Sequence, residues 1–161
     1  MKKAISLVLA AILVLLLPGC NPTESFSCQE LTMKVPEGMA DVSTEAENMT
    51  FNFALQSDTL FVCGLRQDFL DIANGNTLSL EDYAHQLVER YQMENAYHDE
   101  RPGEDYIFMR FQVPLADGVH QYLCGVYRSD SAFWLIQMDA KTADFDEEQC
   151  FSYLDSVTFS K

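Results

Sequence analysis

The chain has 161 residues, of which 12% are aromatic, and it carries 25 acidic against 10 basic side chains, a formal charge of −15. This length fits one domain with a core of its own, and the aromatic share favours a folded chain over a disordered one. The acidity excludes nucleic acid as a partner, because phosphate binding needs a positive surface.

The first residues combine a short positive region with an apolar run that ends at a cysteine. Two lysines precede an uncharged stretch over residues 4–17. This stretch is shorter than a membrane span of about 20 residues and has the length of a signal-peptide core. Pro18 and Gly19 interrupt the helical run immediately before Cys20, which exposes an extended backbone to a protease.

This pattern resembles the signal of bacterial lipoproteins. The matching residues are Leu17, three positions before the cysteine, Gly19 directly before it, and Cys20 itself. The resemblance implies cleavage before Cys20, a diacylglycerol with acyl chains such as palmitate on its sulfur, and an extracytoplasmic position at the cell membrane. Two acyl chains hold a protein stably, whereas one gives only marginal binding. The alternative interpretation is an ordinary secretory signal in which Cys20 is incidental.

The chain therefore divides into three expected parts: a signal peptide over residues 1–19, a lipidated tether over 20–27 and a single globular domain over 28–161. Cleavage before Cys20 would remove two lysines and no acid, which changes the formal charge from −15 to −17. An anionic membrane surface repels such a domain. The lipid would therefore hold a domain that its own charge keeps away from the headgroups.

Six strands and two helices are predicted along this domain. The strands are expected where apolar residues alternate or run together between turn signals, at residues 29–35, 50–55, 59–65, 106–113, 121–128 and 132–139. The first helix is expected over residues 79–93, with Ser79 as its N-cap and Asp82 at the capping-box position. The second is expected after an N-cap at Asp144, with acidic residues in its first turn. A short strand near Phe159 is a further option.

The strand over residues 59–65 is apolar on both sides, which indicates cover on both faces of the sheet. Separate helices and antiparallel strands define the α+β class. We therefore predict an antiparallel sheet of about six strands with helices packed on it, in a three-layer α/β/α sandwich.

This order of elements resembles the PsbP-like fold of the photosystem II extrinsic subunits. The resembling segments are residues 33–39 after the first strand, residues 79–83 at the start of the helix, and the aromatic segment 151–159. The resemblance spans residues 28–160 and implies an antiparallel sheet between helices. Members of that superfamily mainly bind partners, so no active-site residue carries over from it.

Four cysteines follow Cys20, and export would permit disulfides between them. A bridge between Cys28 and Cys150 would close nearly the whole domain and stabilise it by about 2–4 kcal/mol. Cys63 and Cys124 both fall in mid-strand, and they are either bridged or buried as free thiols. No pair has CxxC spacing, which argues against a thioredoxin-like redox site.

Motifs for catalysis or metal binding are missing from the sequence. The histidines at positions 85, 98 and 120 have no metal-ligand spacing, and neither a GxSxG elbow nor a glycine-rich phosphate loop occurs. We therefore predict a protein that is not an enzyme and that has no cofactor and no metal site.

Three of the eight basic residues left after cleavage fall on predicted strands: Arg66, Arg110 and Arg128. If they converged, their guanidinium groups would bind an anionic ligand through carboxylate or phosphate oxygens. The alternative is that each one caps a strand end or pairs with one of the 25 acids.

The sequence thus favours a membrane-anchored, extracytoplasmic lipoprotein that binds an envelope protein or assists envelope assembly. Two alternatives stay open: a lipoprotein that binds a small anionic ligand, and an enzyme with an unrecognised site. The first hypothesis predicts an exposed apolar or aromatic patch. The second predicts a pocket to which at least two of the three arginines point.

Overall fold

The structure is a computed structural model that describes residues 22–43, 51–90, 97–100, 105–115, 118–140 and 146–161. Three of the predicted features lie outside these ranges: the signal peptide over residues 1–19, the lipidation residue Cys20 and the helix N-cap Asp144. The side chain of His98 lies outside the description as well.

Ten strands and two α-helices follow one another in the described part of the chain. In order they are β1 (Thr23–Cys28), β2 (Leu31–Pro36), β3 (Ala40–Asp41), β4 (Phe53–Gln56), β5 (Leu60–Asp68), α1 (Leu80–Arg90), β6 (Tyr97–Glu100), β7 (Tyr106–Leu115), β8 (Gly118–Arg128), β9 (Ala132–Ala140), α2 (Glu147–Leu154) and β10 (Thr158–Phe159). A short 3₁₀ turn (Phe69–Asp71) follows β5.

The strands form two antiparallel sheets. The larger has seven strands in the order β3-β4-β5-β9-β8-β7-β6, and the smaller has three in the order β1-β2-β10. In the centre of the larger sheet, Gln137 on β9 lies opposite Cys63 on β5 and opposite Cys124 on β8. This register fixes which side chains share a face, because successive residues of a strand point to opposite sides.

Both faces of the seven-stranded sheet are covered. On one face α1 packs Tyr83 and Leu87 against the sheet, where the ring of Tyr83 stacks on Phe133 at 4.1 Å between centroids. On the other face the small sheet and α2 enclose a core around Trp134, which is fully buried. The predicted α+β class with antiparallel strands is confirmed.

The single sheet of about six strands that we predicted is divided into two sheets. Its predicted first strand corresponds to β2, which pairs with β1 and β10 rather than with the seven-stranded sheet. β1 pairs along the whole of β2, and β10 pairs with Leu31 and Thr32, while Leu31, Met33 and Val35 are buried in the core. The hairpin formed by β1 and β2 therefore packs on the larger sheet as a separate layer.

Residues 23–27, which we assigned to the tether, form β1 together with Cys28. Along this strand Phe26 and Cys28 are half-buried, whereas Ser25 and Ser27 are exposed, which is the period-two pattern of a strand. A turn with Gln29 at a φ of 53° leads directly into β2. Only one large apolar residue marks this strand, so its composition looked like a linker. The first strand thus begins three positions after Cys20.

The predicted capping of α1 is confirmed. The backbone N–H of Asp82 donates to Ser79 Oγ at 3.0 Å, and the Ser79 hydroxyl donates to the Asp82 carboxylate at 2.6 Å. The N-cap of α2 is Asp146, two residues after the predicted position, and its side chain accepts from the N–H of Gln149 at 3.1 Å. Both helices begin at a carboxylate or hydroxyl that satisfies a free backbone donor.

Candidate functional site

Arg66 lies in a polar cluster beside the turn between β1 and β2. Its Nε donates to Glu30 Oε1 at 2.9 Å, and its terminal nitrogens contact Asp68 and Ser131. The indole N–H of Trp134 donates to the same Glu30 oxygen at 3.0 Å. Burial by itself would raise the pKa of Glu30, but the hydrogen bonds from Trp134 and Arg66 hold it below its usual value. The cluster is therefore an internal ion pair.

Arg110 joins β7 to α2. Its guanidinium forms an ion pair with Glu147 in the first turn of α2 and lies 5.9 Å from the centre of the Phe108 ring. The positive charge lies beside the first turn of the helix, and the negative charge in that turn complements the helix dipole. The ion pair of Arg110 with Glu147 thus connects α2 to the seven-stranded sheet.

Arg128 lies on the opposite face of the sheet, beside the segment that leads into α1. It stacks over the rings of Phe69 and Phe133, at 4.6 and 5.2 Å from their centres. Its guanidinium also donates to the backbone carbonyls of Asn76, at 2.8 Å, and Leu78. The three arginines therefore do not converge, and each one has partners within the protein, as the alternative interpretation expected.

The four cysteines that follow Cys20 are free thiols in the structure. Cys63 and Cys124 both lie opposite Gln137, one on each side of β9. Their Cα atoms are thus about 9.6 Å apart, twice the strand spacing, whereas a disulfide needs less than about 6.8 Å. Burial raises the pKa of the Cys63 thiol to about 12, which leaves it unreactive.

The strand β2 separates the predicted disulfide partners, Cys28 and Cys150. β1, which carries Cys28, pairs with one edge of β2. On the other edge, the N–H of Lys34 donates at 2.8 Å to Ser156, which directly follows α2. Cys150 on α2 is buried, which raises its pKa to about 11. A bridge between these two residues is therefore not part of the described fold.

One histidine pairs with a carboxylate. His120 Nδ1 lies 3.1 Å from Asp139 Oδ2, and these side chains are 22% and 13% exposed. The second oxygen of Asp139 is buried without a hydrogen-bond partner among the described residues. Within the same ranges, no group of three metal-ligating side chains occurs. The pair links β8 to β9.

A groove of about 200 Å³ lies between the two sheets, beside the edge strand β1. Its lining consists of Glu24, Ser25, Phe26, Val35, Met39, Asp41 and Leu55. The floor is apolar, and the two carboxylates are the charged groups of the lining. Hydrogen bonds from the hydroxyl and N–H of Ser43 hold the pKa of Asp41 below its usual value. The groove is thus an apolar cleft with a negative rim.

The exposed apolar patch that a protein-binding surface would present is not found on the described surface. The exposed large hydrophobic side chain there is Leu70, at 92% exposure in the 3₁₀ turn. A single exposed leucine is normal for a soluble protein surface. In the same part of the chain, every helix is too short or too polar to cross a membrane.

Sequence reasoning missed the groove because it misassigned the strand that forms one of its walls. The alternation of polar and apolar residues at Ser25, Phe26 and Ser27 is the sequence pattern that indicates this strand. A strand with so few apolar residues is recognised only once its partner, β2, and the opposite wall at Asp41 and Leu55 are known.

These features define an α+β domain made of two antiparallel sheets, with a groove at the edge where the sheets meet. The solution structure of cyanobacterial PsbP (CyanoP) from Synechocystis sp. PCC 6803 is similar, with a TM-score of 0.55 at 16% sequence identity, over 89% of this chain and 95% of that chain. The resemblance to the PsbP-like fold is thereby confirmed at the level of the fold, which is all that this identity establishes. No protein-family model matches the sequence, and no curated protein matches it.

Proposed function

We propose that the protein is a lipoprotein, anchored through Cys20 at the extracytoplasmic face of the cell membrane, whose PsbP-like domain binds another protein and catalyses no reaction. The observation that carries this proposal is the pattern of Leu17, Gly19 and Cys20 after an uncharged run. The PsbP-like resemblance supports a binding role, because members of that superfamily mainly bind partners. The separate positions of the three arginines favour protein binding over an anionic-ligand site.

The anchor would place one part of the domain close to the bilayer. Thr23, the first residue of β1, is three positions after Cys20. An extended chain of three residues reaches about 10 Å. The start of β1 therefore lies within about one Debye length of the lipid-bearing sulfur. A partner of this domain is accordingly sought among membrane proteins or proteins held at the membrane.

Replacement of the anchor residue tests the proposed location. Cys20→Ala should release the protein from the membrane fraction or leave its signal uncleaved, because no acyl chain can be attached. The measurement is fractionation with immunoblotting, and Cys28→Ala is the control that keeps Cys20. Normal cleavage with unchanged membrane retention would contradict the lipoprotein assignment.

The number of free thiols tests lipidation and disulfide state together. We expect that the protein, extracted from membranes, unfolded and alkylated without reductant, takes up four alkyl groups. Intact-mass spectrometry counts them and shows the site of cleavage. An acylated Cys20 does not react, and the other four cysteines are free in the structure.

Whether the number of alkyl groups is odd or even distinguishes lipidation of Cys20 from disulfide formation. An odd count means that Cys20 is unmodified, since each disulfide removes two thiols from the total. A count of two means that Cys20 is acylated and that one disulfide forms. Full reduction before alkylation is the control, and it should restore four groups in an acylated protein.

A further inference from the structure

We propose that β1 is a docking edge, to which an extended, lysine- or arginine-rich segment of the partner protein adds as a further strand over the groove. This inference rests on the protein-binding role proposed above and states what kind of segment is bound. It depends on the free backbone of β1, on the apolar floor of the groove and on the negative charge at its rim.

Within the described ranges, the backbone of β1 has a row of unpaired hydrogen-bonding groups. The N–H of Lys34 points away from β1, because it donates to Ser156 on the far side of β2. Lys34 and its partner Ser25 are therefore a non-hydrogen-bonded pair of the ladder. By alternation, the N–H and C=O groups of Thr23, Ser25 and Ser27 point outward. No described residue forms a backbone hydrogen bond with them, and β1 pairs only with β2.

This edge carries one charged side chain, Glu24, but lacks several of the features that usually protect an exposed strand. Natural edges are blunted by lysine, proline, a bulge or very short length. The strand over Thr23–Cys28 has six residues and contains neither lysine nor proline. The strand at the other edge of the same sheet, β10, has two residues. An added strand therefore has room for about three residues of ladder pairing on β1 and little on β10.

The groove beside β1 would receive the side chains of an added strand that point inward. Phe26 is half-buried and packs on Phe53, with 4.7 Å between ring centroids. Met39 and Leu55 continue the apolar floor towards β4. Alternate side chains of an added strand face one side. Side chains at every second position would thus enter the groove, where apolar ones contact this floor and basic ones the carboxylates at its rim.

The rim of the groove favours a basic segment. Glu24 accepts a hydrogen bond from the N–H of Gly38 at 3.0 Å, and Asp41 accepts from Ser43. A carboxylate has further acceptor sites, so each retains capacity for a cation. Among the described residues that line the groove, there is neither lysine nor arginine. A second copy of this chain would bring two domains of formal charge −17 together, which favours a basic partner over self-association.

The test uses the lipidated protein in vesicles of zwitterionic lipid and a peptide of two Lys-Ser-Val-Ser repeats as the probe, since this spacing puts lysine and valine on the same face of a strand. Amide hydrogen exchange should slow by about tenfold or more at Thr23, Ser25 and Ser27 when the peptide is present. Amides at Glu24, Phe26 and Cys28 should be protected with and without it, because they already face β2. A peptide of two Glu-Ser-Val-Ser repeats, the Glu-Val peptide, is the control and should not bind.

A proline substitution tests the role of the backbone. Ser25→Pro removes an outward N–H but no bond of the ladder with β2, so the fold should be kept. We expect about tenfold weaker peptide binding. Ser25→Ala is the matched control, because it removes the hydroxyl and keeps the N–H, and it should bind as the original protein does.

Charge removal supplies a test that does not alter the backbone. Glu24→Gln with Asp41→Asn should weaken binding about fivefold at low salt, because both amides keep their acceptor oxygens and lose only charge. The control pair, Glu89→Gln with Glu148→Gln, lies on the exposed surfaces of the two helices and should leave binding unchanged.

Three results would overturn the docking edge: peptide binding without alternate protection along β1, equal binding of the Glu-Val peptide, or protection that rises with protein concentration alone, which indicates a second copy. The proposed function is tested separately in cells with a photo-crosslinking residue in place of Ser27. If a membrane partner is crosslinked equally well when Ser25→Pro is present, the docking edge is wrong and the proposed function stands.

Discussion

Glu30→Ala is expected to lower the free energy of unfolding by about 3 kcal/mol, because it leaves several donors without their acceptor. Arg66, with a side chain 14% exposed, would lose its partner at 2.9 Å. The buried indole N–H of Trp134 would lose its acceptor at 3.0 Å. The turn that carries Glu30 would also lose its hydrogen bonds to Arg66 on β5 and Trp134 on β9. Urea denaturation followed by tryptophan fluorescence measures the change.

Two further variants separate charge from position. Glu30→Gln keeps an acceptor oxygen and loses the charge, so we expect a loss of about 1 kcal/mol. Glu37→Ala removes an exposed carboxylate from the next turn of the chain and should change stability by less than about 0.5 kcal/mol. Equal effects of the substitutions at Glu30 and Glu37 would contradict the role of the cluster.

The contribution of Glu30 should also depend on pH. Hydrogen bonds from Trp134 and Arg66 outweigh burial and hold its folded-state pKa below that of the unfolded chain. The stabilisation is therefore fully present above the unfolded pKa of about 4.3, and it is lost as the pH falls through the folded pKa. The stability difference between the original protein and Glu30→Gln should be constant near neutral pH and shrink below about pH 4. A difference that grows on acidification would contradict this assignment.

Gly64→Ala is expected to lower the free energy of unfolding by about 3 kcal/mol, at the upper end of the usual cost of overpacking. A Cβ atom at Gly64 would overlap Cε1 of Phe53, which is buried on the neighbouring strand β4. The ring must therefore move, and it is packed against Phe26 on β1. Chemical denaturation measures the loss, and exchange at the β1 amides shows whether the hairpin loosens as well.

A matched substitution distinguishes the steric effect from a general effect of replacing glycine. Gly38→Ala meets no atom within 4 Å, but its φ of +80° is unfavourable for alanine. That strain should cost about 1 kcal/mol. The double variant Gly64→Ala with Phe53→Leu should be more stable than the sum of the two single changes predicts, because the smaller side chain makes room. Simple additivity would contradict the proposed clash.

Local sequence patterns were enough to locate the elements that are strongly amphipathic or buried. The alternation and apolar runs predicted the strands that form β4, β5, β7, β8 and β9, and the capping residues Ser79 and Asp82 marked the start of α1. These signals are local, since a helix or strand face repeats every few residues.

Pairing between distant segments could not be predicted in the same way. Phe26 is the only large apolar residue of β1, so this strand was indistinguishable from a tether until β2 was placed beside it. The partners of the three arginines are likewise far away in sequence. Arg66 contacts Glu30, 36 residues away, and Arg110 contacts Glu147, 37 residues away. Arg128 contacts the carbonyl of Leu78, 50 residues away. Sheet register decides which face each arginine occupies.

Composition and short-range periodicity were enough to establish the α+β class, the apolar run that precedes Cys20 and the acidity of the chain. The fold was needed to show that β1 is an edge strand, that β2 separates Cys28 from Cys150, and that a groove opens between the two sheets. These features depend on which strands pair, and long-range pairing is set by packing of the whole core rather than by neighbouring residues.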